Sequence, residues 1–175
     1  MINRILIAIN RAPNNRSAFE SGLSLAKACN ASLMLLYVLS MKEPDYPIAP
    51  IYGYHSIVED RDFEVYQQEI IEYERQELEF LKQLASEARL AGVNIEFSLL
   101  KGNPGRMICE LANTWSADLI VVGNRGFKGL KELFIGSISN YVTHHAPCSV
   151  LVARHHLDGC PAQISELATA NTKSI

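Results

Sequence analysis

Residues 117–139 read ADLIVVGNRGFKGLKELFIGSIS and contain the most informative pattern in the chain. The apolar run at the start of this stretch predicts a buried strand, and glycines follow at positions 123, 126 and 136. Ser137 comes directly after the last glycine, where the pattern changes to that of a helix start. Glycine lets the backbone come close to a bound anion, and the first turn of a helix has unpaired N–H groups. This order of residues therefore predicts a phosphate-binding loop.

The rest of the chain alternates short apolar runs with amphipathic segments. Strands are predicted at 4–10, 31–39, 93–100, 117–123 and 148–154. Four of these are nearly continuous apolar runs, which is typical of strands buried on both faces, whereas VNIEFSLL (93–100) alternates and indicates a sheet edge. The alternation of strand and helix predicts an α/β fold, an open parallel sheet with helices on both faces.

Helices are predicted between the strands, the first ending near Asn30 and the others at 58–91, 104–115 and 137–146. The first has two candidate starts, a capping box at Ser17-x-x-Glu20 or a cap at Asn14. The third has Asn103 followed by proline, the pair expected at a helix start.

The longest predicted helix, 58–91, has one apolar stripe. The stripe consists of Leu78, Leu81, Ala85 and Ala88. Three prolines and a glycine in residues 40–57 predict a long loop before it. Residues 155–175 are polar without a clear period, so we assign one domain to 1–154 and a C-terminal tail, whose order the pattern does not fix, to 155–175.

Composition excludes several classes of protein. An apolar content of 48% with 20% charged residues is that of a folded domain, and a net charge of −3 argues against nucleic-acid binding. No apolar run approaches the roughly 20 residues of a membrane span, so no membrane association is expected. The cysteines form no CxxC pair, which indicates free thiols in a reduced, cytoplasmic setting. We expect the thiols of Cys29, Cys109 and Cys148 to be buried.

In an open parallel sheet, ligands bind beyond the carboxyl ends of the strands where the strand order reverses. If the first strand lies beside the fourth, Asn10 and Gly123 face each other there, with Val38 as a side wall. The chain has no GxxxxGK[ST] phosphate loop, and no glycine-rich dinucleotide motif follows its first strand. The phosphate-binding groups are therefore expected to be backbone N–H groups and hydroxyls.

Neither a catalytic set nor a metal site is predicted. No Ser–His–Asp set or carboxylate pair falls at the predicted crevice. His155, His156 and Cys160 have the side chains of a metal site but lie in the tail. We predict no catalytic residues and leave slow hydrolysis open.

The glycine spacing resembles that of nucleotide-binding universal stress proteins, whose motif is G-x2-G-x9-G-[ST]. Gly123, Gly126, Gly136 and Ser137 match that motif, and HHAPCSVLV at 144–152 resembles the usual final turn and strand of the family. The resemblance implies a five-stranded parallel sheet of order 3-2-1-4-5. It also implies a homodimer formed through the strand at 148–154.

The resemblance further implies an adenine-nucleotide ligand, which is ATP, AMP or ADP, with or without magnesium. It places Ala8 and Asn10 near adenine and ribose, Val38 behind the base, and Gly123 and Arg125 beside ribose and phosphates. It assigns the phosphates to Gly126, Gly136, Ser137, Ile138 and Ser139.

One residue departs from the family pattern. ATP-binding members usually have Asp where this chain has Asn10. An amide oxygen still accepts a hydrogen bond, but the loss of the charge weakens it by about 1 kcal/mol, a several-fold change in affinity. We expect nucleotide binding to survive this change.

Three hypotheses follow from these patterns. The first is a nucleotide-dependent regulatory or signalling protein of stress adaptation that acts on a protein partner still to be identified. The second is a slow ATPase or nucleotidyl transferase on the same scaffold. The third is a nucleotide-free interaction module in which the glycines only turn the chain.

Overall fold

A computed structural model describes residues 1–11, 16–43, 45–48, 60–124 and 136–154. Within these ranges the chain forms strands and helices in alternation. They are β1 (Arg4–Ile9), α1 (Arg16–Cys29), β2 (Ser32–Leu39), α2 (Asp60–Leu90), β3 (Ile95–Lys101), α3 (Pro104–Thr114), β4 (Leu119–Gly123), α4 (Ser137–His145) and β5 (Ser149–Ala153). Only the ends of these elements differ from the predicted ones.

The strands form one sheet of order β3-β2-β1-β4-β5, and every neighbouring pair is parallel. This confirms the predicted α/β class and strand order. It also confirms that β3, the strand with alternating polarity, lies at an edge. The order reverses at β1, which lies between β2 and β4, so the carboxyl ends of these three strands meet at one edge of the sheet.

Each face of the sheet has its own apolar core, which explains the continuous apolar runs. Ile7, Leu35 and Val121 belong to the core under α1 and α2. The alternate strand positions, among them Leu6 and Ile120, belong to the core under α3 and α4. In the part of the chain that the structure describes, no helix is long and apolar enough to cross a membrane.

Helix α2 contains a polar residue that the predicted apolar stripe did not include. Leu81, Ala85 and Ala88 are buried as expected, but Leu78 is only partly buried. The neighbouring Glu77 has 2% of its surface exposed. The helix therefore packs with Glu77 against the sheet, and this carboxylate needs a partner.

Two local predictions were wrong. Helix α1 begins at Arg16, so Ser17 already lies in the first turn and cannot be its N-cap, while the alternative cap, Asn14, lies outside the described residues. Cys29 is exposed because it ends α1, beyond Ala26, the last residue of the helix that is buried against the sheet. Cys109 and Cys148 are free and partly buried.

The cap of α3 is as predicted. The side chain of Asn103 accepts a hydrogen bond from the backbone N–H of Arg106, with a donor–acceptor distance of 3.3 Å. Pro104 occupies the first helical position. The cap fixes where α3 begins, beside the carboxyl end of β3.

Candidate functional site

A cleft opens at the carboxyl ends of β1, β2 and β4, on the face that α3 and α4 cover. Its volume is about 590 Å³ when the part open to solvent is included. The residues that line it are Ala8, Ile9, Asn10, Leu36, Val38, Glu43, Pro104, Ile108, Val122, Gly123, Gly136, Ser137, Ile138 and Ser139. This is the position at which open α/β sheets bind ligands.

The floor and one wall of the cleft are apolar. Leu36, Val38 and Val122 project from the sheet, and Pro104 and Ile108 face them from α3. Leu36, Val38, Val122 and Ile108 also belong to the core on this side of the sheet, so their positions are fixed by packing. A narrow apolar slot between a sheet and a helix suits a flat, weakly hydrated ring.

The opposite side of the cleft is the start of α4. Gly136 is the N-cap residue and has no side chain that could accept a hydrogen bond from the helix start. The N–H groups of Ser137, Ile138 and Ser139 lie in the first turn, where backbone N–H groups have no intrahelical partner. The positive end of the helix dipole adds to these donors. All of these residues line the cleft, which makes this side an anion-binding surface.

Ser139 connects α4 to the sheet. Its hydroxyl donates to the carbonyl of Gly123, at the end of β4, over 2.8 Å, and only 3% of the residue is exposed. Because the single hydroxyl proton is used in this bond, Ser139 can donate to an anion only through its backbone N–H. The side chain positions the helix start relative to the sheet.

The cleft brings together every predicted site residue that the structure describes. These are Ala8, Asn10, Val38, Gly123, Gly136, Ser137, Ile138 and Ser139. The other two, Arg125 and Gly126, lie outside the described residues. Among the described lining residues there is no lysine or arginine, so the anion-binding groups on this part of the cleft are neutral donors.

Sequence reasoning missed Glu43, the one ionisable side chain among the described residues of the cleft. The hydroxyls of Tyr37 and Tyr73 both donate to its Oε2, over 2.8 and 2.9 Å. Burial, with the nearby carboxylate of Glu43, raises the pKa of both tyrosines, so both hydroxyls keep their protons as donors. The sequence signalled only a loop at residue 43, because its partners come from β2 and from a helix thirty residues later.

Arg11 does not point its charge into the cleft. Its Nε lies 2.8 Å from Glu77 Oε1, its Nη2 donates to the carbonyl of Gln76, and its guanidinium lies over the ring of Phe80. Burial raises the pKa of Glu77, and Arg11 opposes that shift. Arg11 therefore holds α2 against the end of β1. Arg106 does not reach the cleft either, since it pairs with Glu110 on the exposed surface of α3.

Asp118 directly precedes β4 and so lies at the other end of the sheet from the cleft. Its Oδ2 accepts the backbone N–H groups of Asn3 and Arg4 over 2.7 and 2.9 Å. These two bonds lower the pKa of the carboxyl. Asp118 therefore joins the starts of β1 and β4 and has no part in the cleft.

The fold and the cleft define an open parallel α/β protein with an apolar slot facing a helix N-terminus at the point where the strand order reverses. A family model described as "Universal stress protein family" matches residues 1–154. Universal stress protein Sll1388 of Synechocystis is 33% identical over 153 residues, which cover 87% of this chain and 97% of that protein. The chain belongs to the universal stress protein family.

Solved structures show the same fold. A universal stress protein family protein from Arabidopsis thaliana with AMP bound has a TM-score of 0.59 at 22% identity, over 92% of this chain and 97% of that one. A universal stress protein in complex with cAMP has a TM-score of 0.57 at 21% identity, over 87% and 97%. These two neighbours share the fold and hold AMP and cAMP, respectively.

Proposed function

We propose that this chain binds an adenine nucleotide in the cleft and acts in stress adaptation as a nucleotide-dependent regulatory protein of the cytoplasm. The observation that carries the proposal is the pairing of an apolar slot with the unpaired N–H groups of the α4 start. A nucleotide has the matching halves, a flat base and an anionic phosphate. The AMP and cAMP bound to structural neighbours support the same ligand class.

In this proposal the base occupies the slot between Val38 and Ile108, and the phosphates contact the first turn of α4. Gly126, which belongs to the family motif, would add a close backbone approach, and Arg125 beside it would add a cation. Three or four hydrogen bonds to a charged phosphate contribute about 1.5–3 kcal/mol each, which after the entropy cost of binding supports a dissociation constant near micromolar. The amide of Asn10 would accept or donate one hydrogen bond near the ribose.

We propose ATP, accompanied by magnesium, as one ligand of the cleft, with AMP and ADP as the others. Among the described residues no cluster of three His, Cys, Asp or Glu side chains could hold a metal ion by itself. A magnesium ion would therefore be bound through the phosphates and water, as this ion commonly is. Calorimetric titrations with ATP in the presence and absence of magnesium would show whether the ion contributes to binding.

An Ala8→Leu variant tests the assignment of the cleft. Ala8 lies on its floor, so three added carbon atoms would fill part of the slot. We expect at least a tenfold loss of AMP affinity, about 1.4 kcal/mol, by isothermal titration calorimetry. The matched control is Ala28→Leu, the same change at an exposed position of α1, which should bind AMP like the wild type. Equal affinity of all three proteins would show that AMP, if it binds, binds elsewhere.

We also propose that the chain forms a homodimer through β5. This strand lies at an edge of the sheet and contains only uncharged residues, with Val150, Leu151 and Val152 partly exposed. The other edge, β3, has Glu96 and Lys101 exposed, and charges at an edge oppose strand pairing. Sedimentation equilibrium should give twice the chain mass of 19.5 kDa, and the mass of one chain at all concentrations would disprove the dimer.

A further inference from the structure

Glu43 is held in place over the carboxyl edge of the sheet. It follows β2 in a turn in which its N–H donates to the carbonyl of Ser40 and its carbonyl accepts from Tyr46. Both tyrosine hydroxyls, those of Tyr37 and Tyr73, bond to the same carboxylate oxygen, Oε2. Among the described residues no hydrogen bond reaches the other oxygen, Oε1. The carboxylate is thus held through one oxygen, Oε2, and it lines the cleft.

The two tyrosines approach from the side of the sheet opposite the cleft. Tyr37 is 1% exposed and belongs to the core under α1 and α2, whereas its neighbour Val38 faces the cleft. Tyr73 is a residue of α2 and packs edge-to-face on Tyr46, with the ring centroids 5.5 Å apart. Glu43 therefore lines the cleft, whereas both of its tyrosine partners belong to the opposite layer.

Glu43 lies on the side of the cleft away from the anion-binding groups. It follows β2, whereas α4 follows β4, and β1 lies between those strands. Neighbouring strands are about 4.8 Å apart, so the two sides are separated by roughly 10 Å. A carboxylate repels phosphate and accepts hydrogen bonds from O–H or N–H groups. It suits a part of the ligand that donates and that lies well away from the phosphate.

If the base occupies the apolar slot and the phosphate contacts α4, the ribose would lie between them at the sheet edge. Asn10 and Glu43 both line the cleft there. The donors of a ribose are its 2′ and 3′ hydroxyls. Asp and Glu side chains bind ribose hydroxyls in the same way in other open α/β folds.

We propose that Glu43 is a specificity-determining residue that accepts a hydrogen bond from a ribose 2′ or 3′ hydroxyl, and that Tyr37 and Tyr73 position it. The inference rests on the proposed adenine-nucleotide site and names the part of the ligand that the site distinguishes. This hydrogen bond would make the site selective for ribonucleotides with a free hydroxyl at that position over the corresponding deoxy forms.

The test compares AMP with 2′-deoxy-AMP and 3′-deoxy-AMP by calorimetry. The wild type should bind at least one deoxy form about tenfold more weakly than AMP, because a hydrogen bond to a charged group is lost. In Glu43→Ala the ratio of AMP affinity to deoxy-AMP affinity should fall below about twofold. The change should come mainly from weaker AMP binding, since the deoxy ligand makes no hydrogen bond to the carboxylate. The control Glu79→Gln, at an exposed glutamate of α2, should keep the wild-type ratio.

Tyr73→Phe provides a second variant that removes only one hydroxyl. It should lower the ratio of AMP affinity to deoxy-AMP affinity while Glu43 stays in place. If the role of Tyr73 were merely structural, the variant would instead bind all three nucleotides more weakly by the same factor. The wild-type ratio and this variant decide the question even if Glu43→Ala does not fold.

Two results would overturn the inference alone. They are wild-type binding of AMP with no discrimination against either deoxy form, and an equal loss for all three ligands in Glu43→Ala. Absence of binding of any of the three nucleotides to the wild type would instead overturn the proposed function, and this inference with it.

Discussion

An Arg11→Ala variant should lose about 3 kcal/mol of unfolding free energy at neutral pH, a large fraction of the stability of a typical domain. The reason is that Glu77, with 2% of its side chain exposed, would lose the cation that lies 2.8 Å away. Removing one partner of a buried ion pair leaves an uncompensated charge, and half-exposure of Arg11 places the cost at the lower end of the usual range. Urea unfolding measures the difference.

The pH dependence of this loss has a defined sign. Burial already raises the pKa of Glu77 above the ordinary value of 4.5, and without Arg11 the pKa should rise further. A carboxyl whose pKa is raised in the folded state contributes most to the free energy of unfolding below its unfolded pKa. This contribution is lost as pH rises through the folded pKa. The deficit of Arg11→Ala should therefore be small near pH 4.5 and grow towards neutral pH.

The control for this prediction is Arg75→Ala. Arg75 pairs with Glu72 on the exposed surface of α2, and such pairs contribute about 0–1 kcal/mol. Its deficit should be small at every pH. If Arg11→Ala and Arg75→Ala lost the same stability, or if the Arg11→Ala deficit did not change with pH, the buried pair would not have the role assigned to it.

A Gly105→Val variant should lose about 2–3 kcal/mol of stability and bind AMP more weakly as well. A Cβ at Gly105 would lie 2.6 Å from Cδ1 and 2.9 Å from Cγ of Tyr141, so α3 and α4 meet there without room for a side chain. Valine would push the helices apart. Because α3 supplies Ile108 and α4 supplies the N–H groups of the cleft, the slot and the anion-binding surface would separate.

A double-mutant cycle identifies the cause of that loss. Tyr141 is partly exposed, and its ring stacks on His145 with the centroids 4.0 Å apart. In a Tyr141→Ala background, Gly105→Val should cost much less, because the ring it collides with is absent. Thermal unfolding of the four proteins gives the coupling. An unchanged cost in the Tyr141→Ala background would place the strain elsewhere in α3.

The elements of the fold were predictable because each depends on local pattern. Continuous apolar runs identified strands with both faces buried, and the alternation in 93–100 identified an edge. The strand order came from the family resemblance, and the positions of Asn10, Val38 and Gly123 at the cleft follow from it, since each lies at or near the carboxyl end of its strand.

What the sequence did not reveal depends on contacts between distant segments. Glu77 is buried because of how α2 is rotated about its own axis against the sheet. A rotation of the helix by one residue position would bury Leu78 instead. Glu43 obtains its partners from Tyr37 and from Tyr73, thirty residues away. Arg11 follows β1 and could have faced the cleft, but the buried carboxylate of Glu77 attracts it to the other layer.

Binding of an adenine nucleotide in this cleft can be followed through the backbone amide resonances of the ¹⁵N-labelled protein during titration with AMP. We expect saturable shifts that cluster at the cleft and reach completion in the micromolar to millimolar range. The residues expected to shift are Ala8, Asn10, Val38, Gly123, Ser137, Ile138 and Ser139. The amides of Glu87 and Arg89, near the far end of α2, should not move. No shift at several millimolar AMP, or shifts confined to residues outside the cleft, would contradict the claim.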